Sequence, residues 1–231
     1  MRGSNTLPTL PSSSWKLYTE HVSADEQHGR DLAVERAVWD VRISRKAIVL
    51  GSRQDESLLN GEQCNRDEIE IVHRRSGGGI VFLAPGEHVW IDVVVPRGDA
   101  LWDNDVAKAS WWLGDVWVKT LNALGENNVL VHRESLSSDA WGDLLCFAGV
   151  GPGEVVRQSA ESLSKFVGIS QRRTRDYARF QCTIYTKWNP QDVEMYVVNT
   201  PGNLSEIAHR VAVVQVSQQA IVDTFVSHLP L

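Results

Sequence analysis

The stretch HRRSGGGIVFLAPGEHVWIDVVVPR, residues 73–97, constrains the fold more than any other part of the chain. Three consecutive glycines, Gly77, Gly78 and Gly79, sit between two apolar runs. Glycine tolerates positive φ and leaves no Cβ between the backbone and a ligand, so the run reads as strand, sharp loop, strand. IEIVHR (69–74) alternates into the first strand, IVFLAP (80–85) forms the next, and Pro85-Gly86 turns the chain. HVWIDVVVP (88–96), rich in β-branched residues, completes a predicted hairpin-like unit. Arg74 and Arg75 bring guanidinium forks suited to carboxylate or phosphate beside the loop. With Ser76 they make it a candidate cradle for such a group; read alone, the same run is a turn with two solvated arginines. It is neither a Walker A loop nor a dinucleotide fingerprint, because G-K-[ST] and G-x-G-x-x-G are both missing.

Around this loop the pattern alternates between helices and strand groups. Apolar residues in 24–42 predict a helix from about residue 29, and KAIVLGS (46–52) a strand entering a turn. Residues 55–66 read as a polar loop. Asp103 or Asn104 is a candidate cap for a helix through about Ala123. Short strands follow near 129–132, 143–147, 153–157, 164–170 and 178–186. Residues 190–231 read as helical, with Pro190 at a start and Asn203 and Ser217 as caps. Hairpins joined by long helices predict an α+β fold with mixed or antiparallel sheets packed against helices. The division expected is a flexible tail over 1–14, a main domain over 15–188 and a helical appendage over 189–231.

A chain of 231 residues can bury one sizeable core. Its net charge of −6 argues against bulk binding to nucleic acid or anionic membrane, which needs a basic face. Cys64, Cys146 and Cys182 are odd in number and lack C-x-x-C spacing, so neither a zinc site nor a disulfide framework is expected. A reduced, cytoplasmic setting fits. The N-terminus has Pro and Ser where a signal peptide needs an apolar stretch, and no run reaches membrane-spanning length. The nine tryptophans read as packing groups.

Two further constellations carry chemistry. In SLSKFVGISQRRTRDYARFQC (162–182), Lys165 heads an apolar strand and Gly168 permits close approach of a neighbour. A compact ammonium there suits negative charge growing on a bound oxygen. Arg172, Arg173 and Arg175 follow directly and form a candidate basic rim for an acidic partner, or simply a solvated turn. In LLCFAGVGPGEVV (144–156), Cys146 ends an apolar run before a Gly-rich loop. It is a candidate nucleophile, with Lys165 nearby to favour the thiolate, or a small buried hydrophobe. Cys64 and Cys182 read as structural.

Arg74-Arg75-Ser76-Gly77-Gly78-Gly79-Ile80-Val81 and Lys165-Phe166-Val167-Gly168-Ile169-Ser170-Gln171 resemble the two signatures of the lipoate–protein ligases and octanoyltransferases, in the biotin/lipoate protein ligase superfamily. Cys146-Phe147 resembles the Cys-Phe of relatives that take an octanoyl group from acyl carrier protein as a thioester. The resemblance implies a ligase-like catalytic domain. It implies that Arg74, Arg75, Ser76, Gly77, Gly78, Gly79, Gly168 and Ser170 bind the acyl-adenylate, with Lys165 catalytic. The activity implied is ATP-dependent attachment of lipoate or octanoate, with magnesium on the nucleotide, to a lysine of a lipoyl domain. Such domains belong to 2-oxoacid dehydrogenase E2 and the glycine-cleavage H protein. An ATP-independent transferase using Cys146 is the alternative, and a non-catalytic lipoyl- or acyl-carrier-binding protein is another. The sequence departs from many members in having Leu83-Ala84-Pro85-Gly86-Glu87 in place of a His-Asp pair and an Asn. Biotin ligases carry a more arginine-rich loop.

Overall fold

The computed structural model describes residues 14–159 and 162–231, so residues 1–13 of the expected tail lie outside the described residues. The fold is α+β, as the sequence predicts, and it is built on two sheets. The larger has seven strands in the order β1-β2-β6-β10-β9-β8-β7. These are β1 (Lys16–Val22), β2 (Ala37–Ile43), β6 (His88–Pro96), β7 (Val129–Val131), β8 (Val155–Gln158), β9 (Leu163–Arg173) and β10 (Tyr177–Tyr185). Only β1–β2 is parallel in it; every other pairing is antiparallel. The smaller sheet has β3 (Ala47–Leu50) between β4 (Glu70–His73), parallel, and β5 (Val81–Leu83), antiparallel.

β6 is buried along nearly its whole length because both faces are covered. Val89, Ile91, Val93 and Val95 pack toward helices α3 (Trp111–Ala123) and α7 (Gln218–Ser227), where the Phe225 and Trp117 rings meet, tilted, with centroids 4.4 Å apart. Trp90 and Val94 face the smaller sheet, meeting Val49, Val81 and Leu83. The outer face of that sheet, Ile48, Leu50, Ile80 and Phe82, is covered by Trp141, Leu144, Val193, Tyr196 and Ile207. These come from α4 (Ala140–Leu144), α5 (Gln191–Tyr196) and α6 (Ser205–Ala208).

Five local expectations are corrected. The helix expected from residue 29 is strand β2, because Ala37, Trp39, Val41 and Ile43 alternate with period two into one core. The helix that does form, α1 (Ala24–Gly29), lies just before it, started by a capping box between Ser23 and Glu26. The polar segment 55–66 holds a short helix, α2 (Gly61–Arg66), capped by Asn60. The strand expected at 143–147 is α4, capped by Asp139, followed by a single 3₁₀ turn at Cys146–Ala148. Finally, β5 and β6 do not form a hairpin, since Pro85-Gly86 carries the chain from the smaller sheet to the larger. Alternation reports that a strand has a buried face, not which strand is its partner. The helix near residue 104 begins later, at Trp111; Asp103 and Asp105 instead accept from the amides of Asp105 and Ala107 in the turns before it.

Candidate active site

The Gly-rich loop is laced to the segment that carries Cys146. After β4, the Arg74 amide donates to the Leu50 carbonyl at 2.9 Å, so the ladder runs one residue further. The Arg74 side chain then turns inward, 6% exposed, and its Nη2 donates to the Gly79 carbonyl at 2.9 Å. Arg74 therefore braces the loop from inside. Gly78 has φ +102°, and a Cβ there would stand 2.5 Å from Arg74 Nη2. A Cβ at Gly79 would stand 2.7 Å from the Cys146 nitrogen and from the Leu144 carbonyl oxygen. That approach is needed because the Ile80 amide donates to Leu144 O at 2.8 Å and the Cys146 amide to Ile80 O at 3.0 Å. Gly77 is exposed with open space around it. Ser76 Oγ and Arg74 Nε are buried atoms with no hydrogen-bond partner. Arg75 points outward, 3.7 Å from Asp31.

Lys165, on β9, is 2% exposed. Its backbone is pinned by the C-terminal segment, with Lys165 N donating to Arg210 O at 2.7 Å and Ala212 N to Lys165 O at 2.9 Å. Its ammonium lies 2.6 Å from Glu154 Oε2 and donates to the Cys146 carbonyl at 2.7 Å. The sequence places Lys165 beside the thiol; the structure brings it to the same residue's carbonyl. Glu154, which sequence reasoning missed, also accepts from the amides of Gly151 at 2.6 Å and Ile169 at 3.2 Å. Its only signal was the Gly-Pro-Gly-Glu turn leading into β8 opposite the lysine strand. A Cβ at Gly168 would stand 3.1 Å from the Phe147 ring, so glycine lets that ring seat against β9.

Two spaces meet at Cys146. One is a polar cleft of about 630 Å³ bordered by Ser76–Gly79, Arg53, Glu154 and Lys165. The other is a narrow apolar slot of about 30 Å³ between the two sheets, with Val49, Val81, Leu83 and Phe147 in its walls. Arg74, Cys146, Ile169 and Ser170 line both. Cys146 is half-buried, whereas Cys64 and Cys182 are fully buried and all three are free. Burial pushes the thiols of Cys64 and Cys182 up, away from the reactive thiolate. Sequence reasoning also missed His28, Gln181 and Thr183, which line the slot from α1 and β10.

Arg172 and Arg173, at the end of β9, and Arg175 just beyond it do not line either space. Arg172 sits 3.3 Å from Asp31, Arg173 bonds the carbonyls of Asp103 and Asn104 and covers the Trp102 ring at 4.6 Å, and Arg175 is exposed. Among the described residues no cluster of three or more His, Cys, Asp or Glu is arranged to hold a metal ion, and no helix is long and apolar enough to cross a membrane.

The family model described as lipoyl protein ligase A/B catalytic domain matches residues 18–225. The chain belongs to that family. Its fold is shared with the bipartite lipoate protein ligase of Thermoplasma acidophilum, at a TM-score of 0.69 and 12% identity over 92% of this chain and 81% of that one. Lipoate-protein ligase A solved with ATP gives a TM-score of 0.66 at 15% identity over 92% and 83%. A T. acidophilum ligase structure with bound lipoic acid gives 0.64 at 14% identity over 84% and 71%. A search of the curated proteins finds no match. At these identities the likeness to solved structures speaks to the fold.

Proposed function

We propose that this chain transfers a lipoyl or octanoyl group through Cys146 to the ε-amine of a lysine on a lipoyl-carrier domain. The observation that carries this reading is the place of Cys146, at the junction of an apolar slot suited to an acyl chain and an open polar cleft suited to incoming partners. The Cys146 sulfur attacks the carbonyl of an acyl-carrier thioester; the new C–Sγ bond forms as the old C–S bond breaks, and the carrier leaves as its thiol. The target amine then attacks the enzyme thioester, forming the C–N bond, breaking C–Sγ and returning the thiol. Lys165 supplies the positive charge beside Cys146 for the oxyanion formed in each step, and the Gly77–Gly79 backbone leaves room for it. The partner class is supported by the family and by the T. acidophilum ligase, whose structural analysis covered its E2 lipoyl domain. An E2 lipoyl domain and the glycine-cleavage H protein are the acceptors to test.

A second reading is favoured by one observation. The unpartnered Ser76 Oγ and Arg74 Nε flank a cleft roomy enough for a nucleotide, and Arg53 and Gln54 border it too. These residues fit an oxyanion, and in this reading Arg74, Ser76, Arg53 and Lys165 would hold ATP with its magnesium. ATP would supply the activation of a free carboxylate, and Cys146 would be structural.

Intact mass of an apo lipoyl domain separates the two. Incubation with octanoyl-acyl carrier protein and no ATP should add an octanoyl group, and Cys146→Ser should abolish the gain. A gain only with octanoate, ATP and magnesium, undiminished in Cys146→Ser, would overturn the transferase reading in favour of the ligase.

A further inference from the structure

The slot has a floor, made by His28, Trp90, Gln181 and Thr183 and anchored from behind by a buried charged network that an acyl chain cannot push aside. Thr183 and Gln181 on β10 face the same side as Trp90 and Asp92 on β6 and as Gly168 and Ser170 on β9, in register across three adjacent strands. The run from Gly168, under Phe147, to Trp90 therefore spans two strand spacings, about 10 Å. At its far end the His28 ring lies over Trp90 at 4.8 Å, and His28 Nδ1 is 3.4 Å from Gln181 Nε2. Trp90 is itself fixed, because its Nε1 donates to Asp92 Oδ1 at 2.9 Å. Asp92, 0% exposed, also receives Gln27 Nε2 at 2.6 Å and both Nε and Nη2 of Arg179, at 3.1 and 2.5 Å. Arg179 in turn donates to the carbonyls of Gln27, at 2.6 Å, and Arg30, at 3.3 Å. This ties the C-terminal turn of α1, and hence His28, to the sheet. Moving the floor would unpair a fully buried charge, which is strongly unfavourable. The walls, by contrast, are Val49, Val81, Leu83 and Phe147, which a chain can part by rotamer changes.

We infer that His28, seated on the Trp90–Asp92–Arg179 floor, is the residue that sets the longest acyl chain this enzyme accepts. The inference rests on the slot receiving the acyl chain, as in the proposed function. With carbon–carbon bonds of about 1.5 Å, an extended chain of about eight carbons spans about 10 Å, and the slot of about 30 Å³ takes it by parting its walls while the floor stays fixed.

The test is calorimetric binding of straight-chain carboxylates, from about six to about fourteen carbons, to the full-length protein. Affinity should rise about fourfold per methylene up to the length the slot holds, and then flatten or fall. His28→Ala should move that break to a longer chain by at least about two carbons, and His28→Trp to a shorter one. Opposite shifts cannot come from misfolding. The same break in all three proteins, or an unbroken rise in the wild type, would overturn the inference. Intact mass of the same proteins after an octanoyl thioester is added reports acylation of Cys146 separately. A length break that follows residue 28 without any mass gain therefore keeps the ruler and removes the transferase.

Discussion

Lys165 and Glu154 form a buried ion pair, Nζ to Oε2 2.6 Å, in the wall of the cleft that holds the Gly-rich loop. Lys165 spends one of its three ammonium protons on Glu154. Glu154 is saturated by the ammonium and two backbone amides, and Lys165 spends a second proton on the Cys146 carbonyl. The pair thus fixes the geometry of the 3₁₀ turn at Cys146 as well as the charge beside it. Glu154→Ala leaves a buried, half-paired ammonium, and the folded state should lose about 3–5 kcal/mol, measured by urea denaturation. Lys165→Ala removes the positive charge itself, and acyl transfer should fall by about a hundredfold or more in a mass-based rate assay. A Lys165→Ala protein with full transfer rates would remove Lys165 from the machinery.

The glycines of the loop divide by what surrounds them. Gly79 has the backbone of Cys146 and Leu144 where a Cβ would stand, at 2.7 Å, so Gly79→Ala must shift main chain. It should destabilise by about 1–3 kcal/mol and displace Cys146, lowering activity with it. Gly77 has open space, so Gly77→Ala should leave the denaturation midpoint within about 0.5 kcal/mol. Any loss of transfer in Gly77→Ala then reports a ligand at the loop; equal destabilisation by the two variants would contradict this division.

Much of this loop was legible before the fold. Gly77–Gly79 announced a strand–loop–strand unit, and Lys165 with Gly168 announced a strand, because local backbone demands and short spacings are written in consecutive residues. What was not legible was long-range pairing. Glu154 lies eleven positions before Lys165, and the register shift between Val155 and Val156 helps set them together. His28 was not singled out from the sequence; only the docking of α1 on Asp92, sixty-five residues from Gln27, turns it into the slot. The β2 segment was misread for the same reason: its period-two face, Trp39 and Val41, needs the smaller sheet opposite to count as a buried face.

Two histidines are held neutral by burial. Desolvation brings His28 and His88 each down to about 4, from an ordinary value of 6.5. Between these values the unfolded chain binds protons that the folded chain does not, so stability rises with pH across the window. It is therefore intact above about pH 6.5 and lost progressively as the pH falls toward 4. For His88, 4% exposed, the loss between pH 6.5 and 5 should be on the order of 2 kcal/mol. Urea midpoints at pH 7 and pH 5 measure it, with His88→Gln expected to flatten the difference. A His88→Gln protein that loses as much stability as wild type between the two pH values would assign the acid sensitivity to His28 or the carboxylates instead.

The C-terminal residues bear on the same site, through β9. Val211 and Val213 bridge to Lys165 and Tyr185, and the amide of Ala212 and the carbonyl of Arg210 hold the two ends of the Lys165 peptide unit. Farther on, Phe225 of α7 is fully buried on Trp117 of α3, inside the core that the larger sheet shares with both helices. A chain cut after residue 188 would expose that core and release the backbone of Lys165. Phe225→Ala alone should destabilise the whole fold by about 3–5 kcal/mol, since it removes a buried aromatic from a packed interior. If 189–231 were an appendage that folds apart from the rest, Phe225→Ala would instead leave the main unfolding transition in place and add a second, earlier one. A single, shifted transition, followed by both near-UV circular dichroism and tryptophan fluorescence, is the expected result. It would make the C-terminal helices part of the scaffold that aims Lys165 at Cys146.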